Sequence, residues 1–130
     1  MTLPRDPSPD PRKPARAAGL ARIVAAAGYS VGGARRLWRE AAFRQEILAG
    51  GVILVLFAIK GASPIAAVGF LVLALMVLAT EALNTAIEEV VDHLAPSWAK
   101  FAKHAKDLGS FAVMCQLVAA GIFAGYVLLG

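Results

Sequence analysis

Long apolar stretches separated by short polar segments make up most of the chain after residue 40. The clearest stretch begins at Ile65 and continues to Leu83, which is close to the roughly 20 residues that a membrane-spanning helix needs. Two others occupy about 40–59 and 108–129. The pattern predicts an all-α integral membrane protein with three spans, at about 40–59, 65–92 and 108–129.

A different pattern precedes the first span. Apolar residues recur there at helical spacing, at Leu20, Ile23 and Val24, and arginines supply positive charge. This combination is typical of an amphipathic helix that lies on the membrane surface, and it predicts such a helix at 19–38. Glycines at 28, 32 and 33 interrupt the pattern, so we expect a surface helix that turns before the first span.

Composition limits the chain to one small membrane unit. It has 130 residues, of which 58% are hydrophobic, and a mean hydropathy of +0.66. Residues 1–18 are rich in proline and charge and contain little apolar surface to bury, so they are predicted to be a disordered cytoplasmic tail. The membrane domain is then 19–130. Three helices leave most side chains facing lipid or another chain, which favours an oligomer.

Positive charge lies beside the spans and predicts the topology. Most Lys and Arg residues precede the first span, Lys60 lies in the first connection, and the second connection carries Lys100, Lys103 and Lys106. By the positive-inside rule the N-terminus and the second connection are cytoplasmic, and the C-terminus is periplasmic. The net charge of +4 is explained by this topology, so a nucleic-acid partner is not expected.

The candidate chemistry lies where the second span ends, in EALNTAIEEVVD at 81–92. Glu81, Asn84, Glu88 and Asp92 follow an apolar run without a turn, and their spacing places them on one helix face. Ionisable groups at a membrane boundary are costly and are functional candidates by default. For Glu88, Glu89 and Asp92 a solvated helix end remains an alternative, and for Asn84 the alternative is a hydrogen bond to a neighbouring helix.

Other polar residues are predicted at the same membrane depth. Glu40 and Glu46 lie at the entry of the first span, and Lys106, Asp107 and Ser110 lie at the entry of the third. Carboxylates favour a hard cation such as Mg²⁺, which takes one or two of them together with substrate phosphates. These groups suit phosphoryl transfer, although the chain has no GxxxxGK[ST], HRD or GxGxxG signature.

Zinc and disulfide chemistry are not expected. Cys115 is the single cysteine, and its apolar surroundings predict a buried packing role. His93 and His104 are the only histidines and are interpreted as exposed loop residues. From the residues alone, a small proton-coupled transporter that uses Glu81 and a membrane interaction protein without enzymatic activity both remain open.

Four segments together resemble the signature of the prokaryotic diacylglycerol kinase family: GYS (28–30), EAAFRQE (40–46), EALNTAIEEVVD (81–92) and AKDLGS (105–110). The resemblance covers the chain from about Gly19 to its end. It implies ATP-dependent phosphorylation of diacylglycerol to phosphatidic acid by a homotrimer of the bacterial inner membrane, with active sites shared between subunits at the cytoplasmic face. Within the family, an undecaprenol kinase is the alternative.

The resemblance also implies roles for individual residues. Glu81 is expected to be the catalytic base, with Asn84 supporting the site, and Glu40 and Glu88 are expected to hold the Mg²⁺ of Mg-ATP. The residues expected to contact ATP are Arg22, Tyr29, Lys106 and Asp107, together with the metal carboxylates. Those expected along the lipid-binding groove are Ser30, Glu46, Glu81 and Ser110. The segment around Trp98 does not match closely and receives no role.

Overall fold

The computed structural model of the protein describes residues 18–130, and this part of the chain is helical throughout. Its elements are α1 (Leu20–Leu37), α2 (Ala41–Lys60), α3 (Pro64–Leu94) and α4 (Lys100–Leu129). The predicted fold class is confirmed, since three long apolar helices follow a shorter one. The predicted disordered tail lies outside the described residues, apart from Ala18. Two compact units divide the chain, and the second is Ala34–Gly130.

The first helix, α1, runs without interruption through the glycines at 28, 32 and 33. Glycine costs about 1 kcal/mol relative to alanine inside a helix, but it does not prevent helical hydrogen bonding. The chain turns after Leu37, where the N–H of Arg39 donates to Arg36 O (3.2 Å) and the N–H of Glu40 to Leu37 O (2.8 Å). This short turn places Glu40 at the N-cap of α2.

A tight connection joins α2 to α3, as the sequence predicts. Gly61 ends α2 in the left-handed region, with φ of 73°, a conformation that suits glycine because it has no Cβ. Ser63 then caps α3, since its hydroxyl oxygen accepts from the N–H of Ala66 (3.3 Å). Pro64 follows at the first helical position, where its missing N–H costs nothing.

The core lies between α2, α3 and α4, and α3 packs mainly against α4. Phe57 of α2 is 1% exposed, and its ring centroid lies 5.5 Å from that of Phe70 on α3. Val77 continues the cluster along α3, and Ala120 and Ala124 contribute from α4. Alanine lets α4 approach closely, so the two aromatic rings fill the remaining space.

Most of the apolar surface is not buried within the single chain. The windows that are apolar enough to cross a membrane are only 11–17% buried, so their outer faces are available to lipid or to neighbouring copies. Cys115 lies on such a face of α4 and is exposed, so the prediction that it is buried is wrong for the single chain.

Both α3 and α4 extend beyond their apolar parts. The predicted third span begins near residue 108, but α4 begins at Lys100, so only five residues, 95–99, separate the two helices. His93 and His104 are exposed, as expected, yet they lie on α3 and α4 and not in a loop. The added turns allow polar residues of the two helices to face each other beyond the apolar core.

Candidate active site

Three polar side chains of α3 are buried just beyond its most apolar part. Glu81 is 8% exposed, Asn84 9% and Thr85 6%. Successive positions of this kind lie on one side of a helix, and here that side faces the other helices of the second unit. A carboxylate buried in this way is costly unless the fold or a ligand compensates for it, which marks Glu81 as a functional candidate.

Asn84 links the buried stripe to a second carboxylate. Its side-chain nitrogen Nδ2 donates to Oε1 of Glu88 at 3.2 Å. Its Oδ1 is buried and has no hydrogen-bond partner. This oxygen packs against Gly109 of α4, so it is enclosed between the two helices.

Gly109 of α4 makes the position of Asn84 possible. A Cβ added at this glycine would lie only 2.1 Å from Asn84 Oδ1 and 3.2 Å from Asn84 Cγ. No role is predicted for Gly109 from the sequence, although it stands within the AKDLGS segment. Its position between Asp107 and Ser110, which were both expected in the site, was the only sign of a role in the sequence. The packing of α4 against α3 shows that Gly109 leaves room for the Asn84 side chain.

Replacing Gly109 with alanine is therefore expected to displace Asn84 from Glu88. We expect the free energy of unfolding to fall by about 1–3 kcal/mol, a usual cost of overpacking, and any activity that depends on Asn84 to fall with it. Thermal unfolding in detergent measures the first effect. Gly125→Ala in the same helix is the matched control, because nothing lies within 4 Å of its added Cβ. Equal stability of the two variants would contradict this packing role.

Four carboxylates from two helices lie close together. Glu81 is near enough to Glu88 and Glu40 for their charges to repel, and Glu46 is likewise repelled by Glu81. Glu46 is half-buried on α2, and its Oε2 is buried without a hydrogen-bond partner. Glu81 therefore lies within electrostatic range of the carboxylates of 40, 46 and 88, and a bound cation would reduce this repulsion.

Arginine already neutralises part of this cluster. The Arg36 Nη1 donates to Glu40 Oε1 at 2.6 Å, and its Nε donates to Glu89 Oε1 at 2.5 Å. Hydrogen bonds to Glu40 and Glu89 raise the pKa of the Arg36 guanidinium above its ordinary value. Arg44, one turn after Glu40, donates to the carbonyl of Trp38 at 2.7 Å.

The start of α4 supplies the basic side of the site. Lys106 is paired with Asp92 of α3 at 2.5 Å, and the Asp92 side chain is largely exposed. Asp107 is exposed and pairs with Lys103 one turn earlier, also at 2.5 Å. Ser110 is exposed on the same helix, one turn after Lys106.

The remaining predicted residues lie on α1, in the first unit. Arg22, Tyr29 and Ser30 are all exposed. The Ser30 hydroxyl donates to the carbonyl of Ala26 at 3.1 Å, one turn earlier in the same helix. Their proposed contacts with ATP or lipid stay predictions.

An apolar groove of about 370 Å³ runs between the membrane helices. Its lining comes from α2, α3 and α4, and includes Gly50, Phe70, Leu75 and Gly121. Glu46 is the one charged side chain that lines it. A groove of this composition suits a hydrocarbon chain with a polar group near the carboxylate.

Within residues 18–130, no three His, Cys, Asp or Glu side chains form a group that could hold a metal ion by themselves. Mg²⁺ commonly uses only one or two protein carboxylates together with substrate phosphates. The donors available near Glu81 are the carboxylates of Glu40 and Glu88. All are oxygen atoms, so the residues fit a hard divalent cation.

Comparison with known proteins identifies the family. Residues 28–128 match the sequence profile described as prokaryotic diacylglycerol kinase. The chain belongs to the prokaryotic diacylglycerol kinase family. A diacylglycerol kinase of a Sinorhizobium species is 48% identical over 111 residues, which cover 85% of this chain and 81% of that protein.

More distant relatives agree with this family assignment. The diacylglycerol kinase of Escherichia coli K12 is 39% identical over 105 residues, covering 80% of this chain and 86% of the relative. That of Pseudomonas aeruginosa is 36% identical over 113 residues, covering 86% and 92%. The resemblance and the enzyme class that the sequence predicts are confirmed. Membrane-length helices and bacterial relatives together indicate a bacterial membrane protein.

Proposed function

We propose that this member of the diacylglycerol kinase family transfers the γ-phosphoryl group of Mg-ATP to diacylglycerol and releases phosphatidic acid and ADP. The observation that carries the proposal is the position of Glu81. This carboxylate is buried next to the apolar part of α3, and Glu88 follows seven residues later. At 1.5 Å per residue the two lie about 10 Å apart along the helix, which would span the distance between a lipid hydroxyl and the metal on ATP.

In this mechanism Glu81 accepts the proton of the lipid hydroxyl. The hydroxyl oxygen forms a bond to the γ-phosphorus while the bond between that phosphorus and the bridging oxygen of ADP breaks. Glu40 and Glu88 would hold Mg²⁺, which when bound neutralises charge on the phosphate oxygens. Asn84 keeps Glu88 in place through its 3.2 Å hydrogen bond. Glu81, on the lipid side, would thus accept the proton, and Glu40 and Glu88 would bind the metal.

Nucleotide contacts are proposed for Arg22, Tyr29, Lys106 and Asp107. Lys106 and Asp107 each have an ion-pair partner within the chain, on Asp92 and Lys103. The ammonium group of Lys106 would have to exchange Asp92 for a phosphate, which carries more negative charge. An exposed pair of this kind contributes little to stability, so the exchange is not prohibitive.

The lipid is proposed to lie along Ser30, Glu46, Glu81 and Ser110. The apolar groove with Glu46 in its lining supports a hydrocarbon ligand on α2 and α3. The positive charge before α2 and at the start of α4 supports a cytoplasmic active site, with the C-terminus periplasmic, in the inner membrane. Largely exposed apolar faces support an oligomer, for which we propose the family's homotrimer with shared sites.

A lipid panel tests the reaction. Purified protein in bicelles is incubated with Mg²⁺ and γ-labelled ATP, together with diacylglycerol, undecaprenol or no lipid alcohol, and products are separated by thin-layer chromatography. We expect labelled phosphatidic acid from diacylglycerol, and no product without lipid or when EDTA removes the metal. Label on undecaprenol alone would assign the chain to the other branch of the family and contradict the proposal.

A further inference from the structure

The Arg36 side chain connects three separate segments of the second unit. It lies in the last turn of α1, its Nη1 contacts Glu40 at the start of α2, and its Nε contacts Glu89 in α3. The distances are 2.6 Å and 2.5 Å, so both contacts are charge-assisted hydrogen bonds. Neither Arg36 nor Glu89 belongs to the reaction proposed above, so their arrangement requires its own explanation.

Glu40 needs an external partner to be held in one position. It is the N-cap residue of α2, with extended backbone (φ −79°, ψ 127°), but its side chain makes no capping hydrogen bond. A capping side chain would be committed to the first N–H groups of its own helix. The carboxylate of Glu40 turns instead to Arg36, on the side of α3 that carries Glu81 and Glu88.

A guanidinium group is well suited to hold two carboxylates at once. Its planar N–H groups have fixed directions, so two contacts determine the position of each partner more strictly than a lysine would. The contact with Glu40 uses only Oε1. A carboxylate can bind Mg²⁺ through one oxygen, so the pairing with Arg36 and binding of a cation by Glu40 are compatible.

We propose that Arg36 and Glu89 form a positioning pair that holds the Glu40 carboxylate next to Glu81 and Glu88 for binding of the divalent cation. Glu89 acts through Arg36, because it anchors the guanidinium to α3. The turn between α1 and α2 is thereby held in a fixed position relative to α3, the helix that carries the proposed base. Neither residue contacts the substrates. The inference rests on the proposed function only in that Glu40 is taken as a metal ligand.

Arg36→Ala is expected to raise two constants about tenfold: the Mg²⁺ concentration needed for half-maximal rate, and the KM for Mg-ATP. This is the usual effect of losing a residue that orients a metal ligand. The turnover number at saturation should change less. Arg36→Lys should recover part of the affinity, since it restores one contact but not the planar pair. Arg35→Ala is the matched control, because this exposed neighbour has the same charge and is expected to leave both constants within about twofold.

A double-mutant cycle tests the order of action. Glu89→Gln alone should weaken Mg²⁺ dependence in the same direction as Arg36→Ala, though by less. Once Arg36 is alanine, Glu89→Gln should have no further effect, because Glu89 acts only through the guanidinium. Independent, additive losses would overturn the pairing, and they are measurable even if one variant is less stable.

Binding of Mn²⁺ with a non-hydrolysable ATP analogue, followed by electron paramagnetic resonance, gives a readout without turnover. We expect about tenfold weaker Mn²⁺ binding in Arg36→Ala than in Arg35→Ala. Equal binding in the two variants would overturn the inference whatever the lipid assay shows. If the unmodified chain phosphorylates no lipid alcohol, the proposed function fails, and the comparison of Mn²⁺ binding still decides the role of Arg36.

Discussion

Glu81→Gln is expected to lower the turnover number by about 10²–10⁴-fold, the range that general base catalysis supplies. Glutamine keeps the shape of the buried side chain but cannot accept the proton of the lipid hydroxyl. The affinity for Mg-ATP should remain within a few-fold of the unmodified chain, because the proposed metal carboxylates lie on Glu40 and Glu88. Steady-state kinetics with diacylglycerol in bicelles measures the rate, and binding of a fluorescent ATP analogue measures affinity.

The residue before it provides the control. Thr80 donates its hydroxyl to the carbonyl of Met76 at 2.8 Å, within its own helix, and takes no part in the site. Thr80→Ala should therefore retain near-normal turnover in the same preparation. Near-normal turnover in Glu81→Gln would refute the base assignment, whereas equal loss in both variants would indicate a general defect of α3.

Glu88→Gln is expected to weaken apparent Mg-ATP affinity by at least about tenfold and to lower the rate as well. The substitution removes charge but retains an acceptor oxygen for Asn84 Nδ2, which donates to Glu88 at 3.2 Å. Packing around Asn84 should thus be preserved, and the effect reports on the cation. Titration of the rate with Mg²⁺ at fixed ATP measures it.

The two glutamine variants control for each other. Both remove one negative charge from the same face of α3, yet only Glu88→Gln should shift the Mg²⁺ dependence, and Glu81→Gln should mainly affect the rate. An unchanged apparent affinity for Mg-ATP in Glu88→Gln would argue against its metal role. Identical effects of both variants would show that the cluster responds to total charge, without separate roles.

Periodicity was sufficient to place the polar face of α3. The spacing of Glu81, Asn84 and Glu88 puts them on one side of any regular helix, and the structure has that helix without interruption. Common membrane depth also anticipated that Glu40 and Glu46 would approach Glu81, because apolar spans of similar length align at the bilayer edge. Depth follows from hydropathy alone, and so it is readable from one sequence.

The sequence did not show which side chains of neighbouring helices face each other. Asp92 is exposed at the end of α3, and it pairs with Lys106 because α4 begins eight residues before its predicted span. Similarly, Gly109 is critical only because α4 approaches α3 at the position of Asn84. Neither contact leaves a periodic signal, since each depends on how two helices are rotated about their axes.

The sequence by itself determined that this is a three-span, all-α membrane protein of the diacylglycerol kinase family, with carboxylates at the end of its second span. These properties follow from the length and hydropathy of single segments and from local motifs. Only the tertiary structure decided which groups face each other: Arg36 with Glu40 and Glu89, and Gly109 with Asn84. The physical reason is that packing between helices joins residues that are distant along the chain, and local spacing carries no information about those pairs.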